Sequence, residues 1–165
     1  MHPLIENVEI EQQFPNTVVI KVEERAAAAL IVVPNGVLEV DGQGVFLRRL
    51  ESWSEVDYPV ISGIDVPDTV GPGQKIESAE LASALKLLEQ SPPQLVPQIG
   101  ELHVNEVQQI TLFLTSGVEV RLGRSEDWGD KLTALLALLN DQEYQSFEKG
   151  VKYVDFTAAK PVIGR

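Results

Sequence analysis

The sequence predicts an α+β fold: a mostly antiparallel β-sheet with two helices packed on it, preceded by a β-hairpin. Three observations predict this class. Residues 17–24 alternate apolar and polar side chains, which is the period-two pattern of a strand with two unlike faces. The dipeptide Asn35-Gly36 lies between two apolar runs, as in a tight hairpin turn. Two later segments, 78–90 and 125–139, repeat apolar residues at helical spacing.

The N-terminal hairpin is predicted from residues 8–12 and 17–24, which flank a turn around Pro15. Residues 26–33 and 37–40 then form two strands joined at Asn35-Gly36, and 45–47 forms a third after a tight turn. Residues 48–75 contain three prolines and are predicted to be an irregular connection. The side chains expected to pack this connection on the sheet are Trp53, Tyr58 and Ile61.

The first helix is predicted over 78–90, with Ser78 as its N-cap and Pro92-Pro93 as its stop. Strands follow near 99–104, 107–114 and 118–123. The helix is expected to bury Leu81, Ala84, Leu85 and Leu88.

The turn between the last two of these strands decides their register. A two-residue loop at Ser116-Gly117 would place Leu112 opposite Arg121 and Leu114 opposite Glu119. A three-residue loop from Thr115 to Gly117 instead aligns apolar residues on one face, with Gly117 left-handed, and is favoured for that reason. The pairs it predicts are Leu114–Val118, Leu112–Val120 and Ile110–Leu122.

The second long helix is predicted to begin at Ser125 as its N-cap, with Glu126 and Asp127 near its positive end. It weakens at Asn140-Asp141. Final strands are expected at 151–156 and 161–163. The predicted buried stripe of this helix is Trp128, Leu132, Leu135, Leu136 and Leu139.

The amino-acid composition disfavours or excludes several classes of function. The chain has 165 residues, a normal apolar fraction of 44% and a formal net charge of −12. Such an acidic chain is disfavoured as a partner of nucleic acid or anionic lipid, because both recruit Lys and Arg. The chain has no cysteine, which excludes disulfides and thiolate chemistry. Its longest apolar run, 26–33, is too short to span a bilayer, and a signal-peptide pattern is absent.

No catalytic, cofactor-binding or metal-binding residue is predicted. The two histidines, His2 and His103, have no metal-ligand spacing. The loop at 71–75 lacks the spacing of a phosphate-binding loop, and the Glu9/Glu11 and Glu23/Glu24 pairs suit solvated strand faces. We therefore expect a protein that is not an enzyme.

Several segments resemble one known family, the FtsQ/DivIB cell-division proteins. The turn and strand from Phe14 to Arg25 resemble the end of that family's POTRA domain, and 2–10 resembles its entry segment. The hairpin at 38–46, with Asp41, and the sequence at 116–123 resemble segments of the family's β domain. The remaining matches are Pro59-Val60-Ile61-Ser62-Gly63 and Tyr153-Val154-Asp155-Phe156.

The resemblance implies a division of the chain into residues 1–25, the C-terminal part of a POTRA domain, and 26–165, an FtsQ/DivIB-type β domain. It also implies a non-enzymatic divisome scaffold that binds FtsB/DivIC-like and FtsL-like proteins during septum formation. Such proteins lie on the extracytoplasmic face of the bacterial cytoplasmic membrane. The membrane anchor would belong to a segment absent from this chain, which we expect to be soluble.

The resemblance places partner binding at the C-terminal strands, where a partner would add a strand to an exposed edge. The alternative is that these strands only close the sheet. Thr157 stands where the family usually has Arg, and Pro161 interrupts the last strand. The implied partner-binding residues are Tyr153, Val154, Asp155, Phe156, Pro161, Val162, Ile163 and Gly164.

Two other functions stay open. One is a different POTRA-bearing extracytoplasmic adaptor or secretion component. The other is a cell-wall carbohydrate binder or enzyme that uses Trp53 and paired acids, with Trp128 more simply explained as a core residue.

Overall fold

A computed structural model of the chain describes residues 2–51, 57–124, 128–158 and 160–165. The predicted α+β class is confirmed. The strands and helices follow in the order β1 Ile5–Gln13, β2 Thr17–Glu24, β3 Ala27–Val33, β4 Gly36–Asp41, β5 Phe46–Leu50, β6 Val60–Ser62, α1 Ala79–Gln90, β7 Ile99–Val104, β8 Ile110–Leu114, β9 Glu119–Gly123, α2 Gly129–Leu139, α3 Gln142–Phe147, β10 Tyr153–Asp155 and β11 Val162–Gly164.

Strands β1 and β2 form a separate two-stranded antiparallel sheet, as the alternation predicts. Val8 pairs with Val22 and Ile10 pairs with Ile20, so the apolar residues share one face. The Phe14–Pro15 peptide at the tip is cis. The apolar face is largely exposed, and none of the hairpin's described residues belongs to the buried core.

The other nine strands form one sheet in the order β11-β10-β9-β8-β7-β6-β3-β4-β5. Five neighbouring pairs are antiparallel and three are parallel. Alternate strand residues such as Ile31 and Leu102 pack against the helices in a single core. Among the described residues, a small second cluster of Leu30, Val37 and Leu50, with Val60 packed against it, lies on the opposite face.

Residues 48–75 are more regular than the irregular connection that the sequence predicts. Strand β5 continues to Leu50, and Val60–Ser62 forms β6 in the middle of the sheet, parallel to β3 and β7. Ile61 is buried as expected, whereas Tyr58 is 38% exposed and does not pack as predicted. Trp53 lies outside the described residues.

The β8–β9 turn confirms most of the favoured register. Leu112 pairs with Val120, the Leu114 amide donates to the Val118 carbonyl at 2.9 Å, and Gly117 has φ +89°. The third predicted pair is wrong, because a bulge next to Ile110 places that residue opposite Gly123 instead of Leu122.

Helix α1 begins as predicted, since the Ser78 side chain accepts a hydrogen bond from the Leu81 amide at 3.2 Å. Leu87, which the predicted stripe omits, is fully buried, and Leu88 packs only partly against the core. The second long helix starts later than predicted, at Gly129 after Trp128 in the N-cap position. Ser125, Glu126 and Asp127 lie outside the described residues.

The break predicted at Asn140-Asp141 separates α2 from a third helix that the sequence analysis does not predict. The Asp141 side chain caps this short helix by accepting a hydrogen bond from the Tyr144 amide at 3.0 Å. Tyr144 is 1% exposed and joins the core. Since Tyr144 packs with Leu135 and Leu139 in one cluster, α3 extends the helical layer over the same face of the sheet.

Candidate partner-binding edge

The C-terminal strands form one edge of the nine-stranded sheet. Strand β10 runs parallel to β9, and β11 pairs antiparallel with β10 as the terminal strand. Tyr153 faces Gly164, Val154 faces Ile163 and Asp155 faces Val162. The outer side of β11 therefore offers main-chain groups to another strand.

The eight predicted partner-binding residues occupy different environments. Val154 and Phe156 are buried in the core, so their side chains are not available at the surface. Val162 and Ile163 are 49% and 37% exposed, while Tyr153, Asp155 and Gly164 are half-buried. Pro161 is exposed and immediately precedes β11, so it removes no donor from within that strand.

Tyr153 lies flat across Gly164. A Cβ atom on Gly164 would collide with the Tyr153 ring, so only glycine leaves room for the ring to cross the edge strand. The Arg121 guanidinium lies over the same ring, 4.4 Å from its centroid, and Arg121 Nε donates to Glu119 at 2.7 Å. Cross-strand packing of Arg121, Tyr153 and Gly164 thus orders β11.

Asp155 ends β10 with a local turn. Its Oδ1 accepts hydrogen bonds from the Thr157 hydroxyl at 2.5 Å and the Thr157 amide at 2.7 Å. These two bonds, first the hydroxyl and then the amide, hold the pKa of the Asp155 carboxyl below its usual value. Thr157 therefore has a clear structural role at the position where the resembling family has Arg.

The opposite edge of the sheet, strand β5, is protected. The loop before α1 covers its beginning, since the Phe46 amide donates to the Gln74 carbonyl and the Gly73 amide donates to the Phe46 carbonyl. Farther along, Arg48 and Arg49 are exposed. Covered backbone and charged side chains both hinder the addition of a strand.

Cations are concentrated in the last 17 residues of an otherwise acidic chain, the segment that contains β11. Residues 149–165 contain four of the 13 Lys and Arg residues and only one of the 25 Asp and Glu residues. The four side chains are exposed, and within the described residues none is in an ion pair. Arg165 instead lies over the Phe147 ring, 4.9 Å from its centroid. The cations are Lys149, Lys152, Lys160 and Arg165.

The formal net charge of the whole chain, −12, hides this concentration of cations. A count in short windows finds it from the sequence alone. The position of Arg121 over Tyr153 is different, because it depends on the parallel pairing of β9 with β10.

One group of side chains has the residue types of a hydrolytic site. On the sheet face opposite the helices, Ser62 Oγ lies 2.5 Å from Glu101 Oε1 and 2.8 Å from His103 Nδ1. A carboxylate only accepts hydrogen bonds, so the Ser62 hydroxyl donates to Glu101 and the imidazole donates to Ser62. In a serine–histidine catalytic pair the direction at the imidazole is the reverse, since the serine hydroxyl donates its proton to the ring nitrogen. This group links β6 to β7.

A cleft of about 930 Å³ has largely apolar walls, formed by residues such as Ala27, Leu88 and Ile99. Nowhere in the described ranges do three His, Asp or Glu side chains converge in a way that would hold a metal ion. None of the described helices combines the length and apolarity needed to cross a bilayer.

Comparisons with known proteins agree on one family. The family described as "Cell division protein FtsQ/DivIB, C-terminal" matches residues 29–156, and the family "POTRA domain, FtsQ-type" matches residues 2–25. The relatives below are named cell division protein FtsQ, and the chain spans about half of their length.

Three relatives show the extent of the similarity. The protein from Geobacter sp. strain M21 is 30% identical over 98% of this chain and 59% of its own length. The protein from Syntrophotalea carbinolica is 30% identical over 81% of this chain and 48% of its own length. The protein from Myxococcus fulvus is 34% identical over 76% of this chain and 44% of its own length.

A solved structure has a similar fold. The major extracytoplasmic domain of the cell-division protein DivIB from Geobacillus stearothermophilus, in its trans isomer, superimposes with a TM-score of 0.51. The match covers 70% of this chain and 91% of that chain at 16% sequence identity.

Proposed function

This chain belongs to the FtsQ/DivIB family of cell-division proteins, and from that premise we propose that it is a non-enzymatic scaffold whose β11 edge binds a division partner by strand addition. The partners are FtsB/DivIC-like and FtsL-like proteins, and the site lies outside the cytoplasmic membrane. Residues 1–25 act as the end of a POTRA domain and residues 26–165 as the β domain.

The difference between the two sheet edges carries this proposal. The beginning of strand β5 is covered by residues near Gln74, and its middle carries Arg48 and Arg49. Strand β11 carries no charge and exposes Val162 and Ile163. Natural sheets protect the edges that are to stay unpaired. An uncharged, apolar edge strand is the form that a sheet takes when another strand is to join it.

The local charge indicates the chemistry of the incoming strand. Lys149, Lys152, Lys160 and Arg165 are exposed and lie close in sequence to β11, which is itself apolar. A strand with apolar side chains for Val162 and Ile163, and with Asp or Glu beside them, complements this surface. Opposite charge on the rim raises the association rate and suppresses wrong partners.

Acidic substitutions on β11 test the proposal. Val162→Glu and Ile163→Glu place a carboxylate on the edge, which repels an acidic strand and hinders pairing. We expect affinity for the same organism's FtsB/DivIC-like and FtsL-like proteins to fall about tenfold or more, which corresponds to about 1.4 kcal/mol. Calorimetric titration or pull-down measures the change.

The matched control is Val107→Glu, which makes the same change at a 59% exposed valine in the β7–β8 turn. It should bind as the unsubstituted chain does, and all variants should keep nearly the same melting temperature, since surface substitutions usually alter stability little. Unchanged affinity in both β11 variants would move the binding site elsewhere.

A further inference from the structure

Two of the segments that resemble the family meet at one ion pair. Arg25, the last residue of the first segment, donates from Nη1 to Oδ2 of Asp41 at 2.7 Å, and Asp41 belongs to the β4–β5 segment. The two side chains are 17% and 6% exposed. From this contact we propose that Arg25 and Asp41 form a latch that sets the angle between the β1–β2 hairpin and the nine-stranded sheet.

The absence of a core shared with the sheet gives the Arg25–Asp41 contact its importance. None of the described residues before Ala28 is in the core cluster or packed against it. The chain passes from β2 to β3 through only Arg25 and Ala26. A short joint without shared core permits rotation, so polar contacts decide the orientation of the hairpin.

Asp41 is placed by the sheet and not by the hairpin. Its Oδ1 accepts hydrogen bonds from the Gln43 amide at 2.9 Å and the Val45 amide at 2.8 Å, which hold the tight turn between β4 and β5. Its Oδ2 is left for Arg25. A carboxylate held by two main-chain donors is a fixed anchor, so its orientation is transmitted to the guanidinium.

Arg25 is placed by the hairpin. Its amide donates to the Leu4 carbonyl at 2.8 Å and closes the open end of β1 and β2. The latch therefore joins two elements that are each ordered separately. Two weaker contacts flank it: Gln43 Nε2 donates to Glu6 Oε1 at 3.1 Å, and Pro3 lies against Gly73.

A distance measurement tests the latch directly. The chain has no cysteine, so spin labels at Gln13→Cys on the hairpin and Ala137→Cys on α2 report a single distance. Both positions are exposed. Double electron–electron resonance should give one narrow distribution in the unsubstituted background. Arg25→Gln and Asp41→Asn should each broaden the distribution or add a second distance.

The matched control is Lys21→Gln. It removes the ion pair between Lys21 and Glu11, which is 2.8 Å long and so similar in length to the Arg25–Asp41 pair. Both of its side chains are about half exposed and lie within the hairpin. The distribution in this variant should stay narrow, because an exposed pair within one element sets no angle. Unchanged distributions in both latch variants would overturn the proposal.

A second measurement separates loss of the angle from loss of the hairpin. Cross-strand nuclear Overhauser contacts between Val8 and Val22, which face each other in the register, should persist in Arg25→Gln and Asp41→Asn. If these contacts disappear while the β-sheet domain stays folded, Arg25 holds the hairpin together and the latch is refuted.

Discussion

At the residue scale, the end of β6 depends on one glycine. Gly63 has φ +81°, a region that side-chain-bearing residues rarely adopt. A Cβ atom there would collide with the Val104 carbonyl oxygen, which is backbone and has little freedom to move. The close approach of Gly63 and β7 therefore permits Ser62 to reach Glu101 and His103.

Gly63→Ala should destabilise the protein by about 1–3 kcal/mol, because it combines a strained backbone with a steric clash. Urea unfolding followed by circular dichroism measures the difference. Gly42→Ala is the control, since nothing lies within 4 Å of a Cβ there. Equal stability of the two variants would show that the β6–β7 approach relaxes without cost.

The pKa of the Asp155 carboxyl should lie below its usual value of 3.8, because the Thr157 hydroxyl and amide donate hydrogen bonds to the charged form. A lowered pKa in the folded state means that these bonds contribute stability above the unfolded pKa, and that the contribution is lost as the pH falls through the folded value. Thr157→Ala should raise the midpoint of the carboxyl titration seen by NMR. A midpoint that stays unchanged in this variant would contradict the assigned cause.

At the element scale, helix α1 shows how a cap defines a boundary. The Ser78 side chain accepts from the Leu81 amide, and the helix begins at the next residue, Ala79. The periodic stripe then places Leu81, Ala84 and Leu85 against the sheet. The capping residue and the buried stripe indicate the same helix boundaries, so the predicted range 78–90 differs from the observed Ala79–Gln90 by one residue.

Ser78→Ala should lower the free energy of unfolding by about 1 kcal/mol, since the helix loses the acceptor for a first-turn amide. Denaturant unfolding measures the change. Ser146→Ala, at an exposed serine within α3, serves as the control and should be neutral within about 0.5 kcal/mol. A Ser78 variant as stable as the Ser146 variant would mean that the cap contributes nothing.

At the scale of the whole molecule, the two sheets are unequal. The nine-stranded sheet has its own core with the helices, whereas the hairpin exposes Val18, Ile20 and Val22 by half or more. A lone two-stranded hairpin is marginal in water. The stability of the described part of the chain therefore lies in residues after the joint.

A shortened chain that begins at Ala26 should keep one cooperative unfolding transition, because the buried core starts at Ala29. Its midpoint should be lower, since the Asp41 carboxylate loses its ion-pair partner Arg25. Asp41→Asn in the shortened chain should recover part of the loss. Scanning calorimetry measures both, and a broad non-cooperative transition would show that the sheet needs the hairpin.

Local sequence patterns specify the strands, turns and helices whose neighbours are close along the chain. The hairpin, the turn at Gly117, the cap at Ser78 and the helical stripes all follow from local periodicity and turn chemistry. Each of these patterns indicates which face of a strand or helix is buried, and a few consecutive residues are enough to see it. The C-terminal strands were also placed correctly, though their partner-binding role stays a proposal.

Which elements lie side by side depends on packing between segments that are distant in sequence. Strand β6 has three residues, too few for a period to be visible, and its parallel neighbours β3 and β7 are far away in sequence. The pairing of β10 with β9, the open edge at β11 and the Arg25–Asp41 contact have the same origin. Strand order results from packing between distant segments, and the periodicity of a single segment does not indicate which other strand it will pair with.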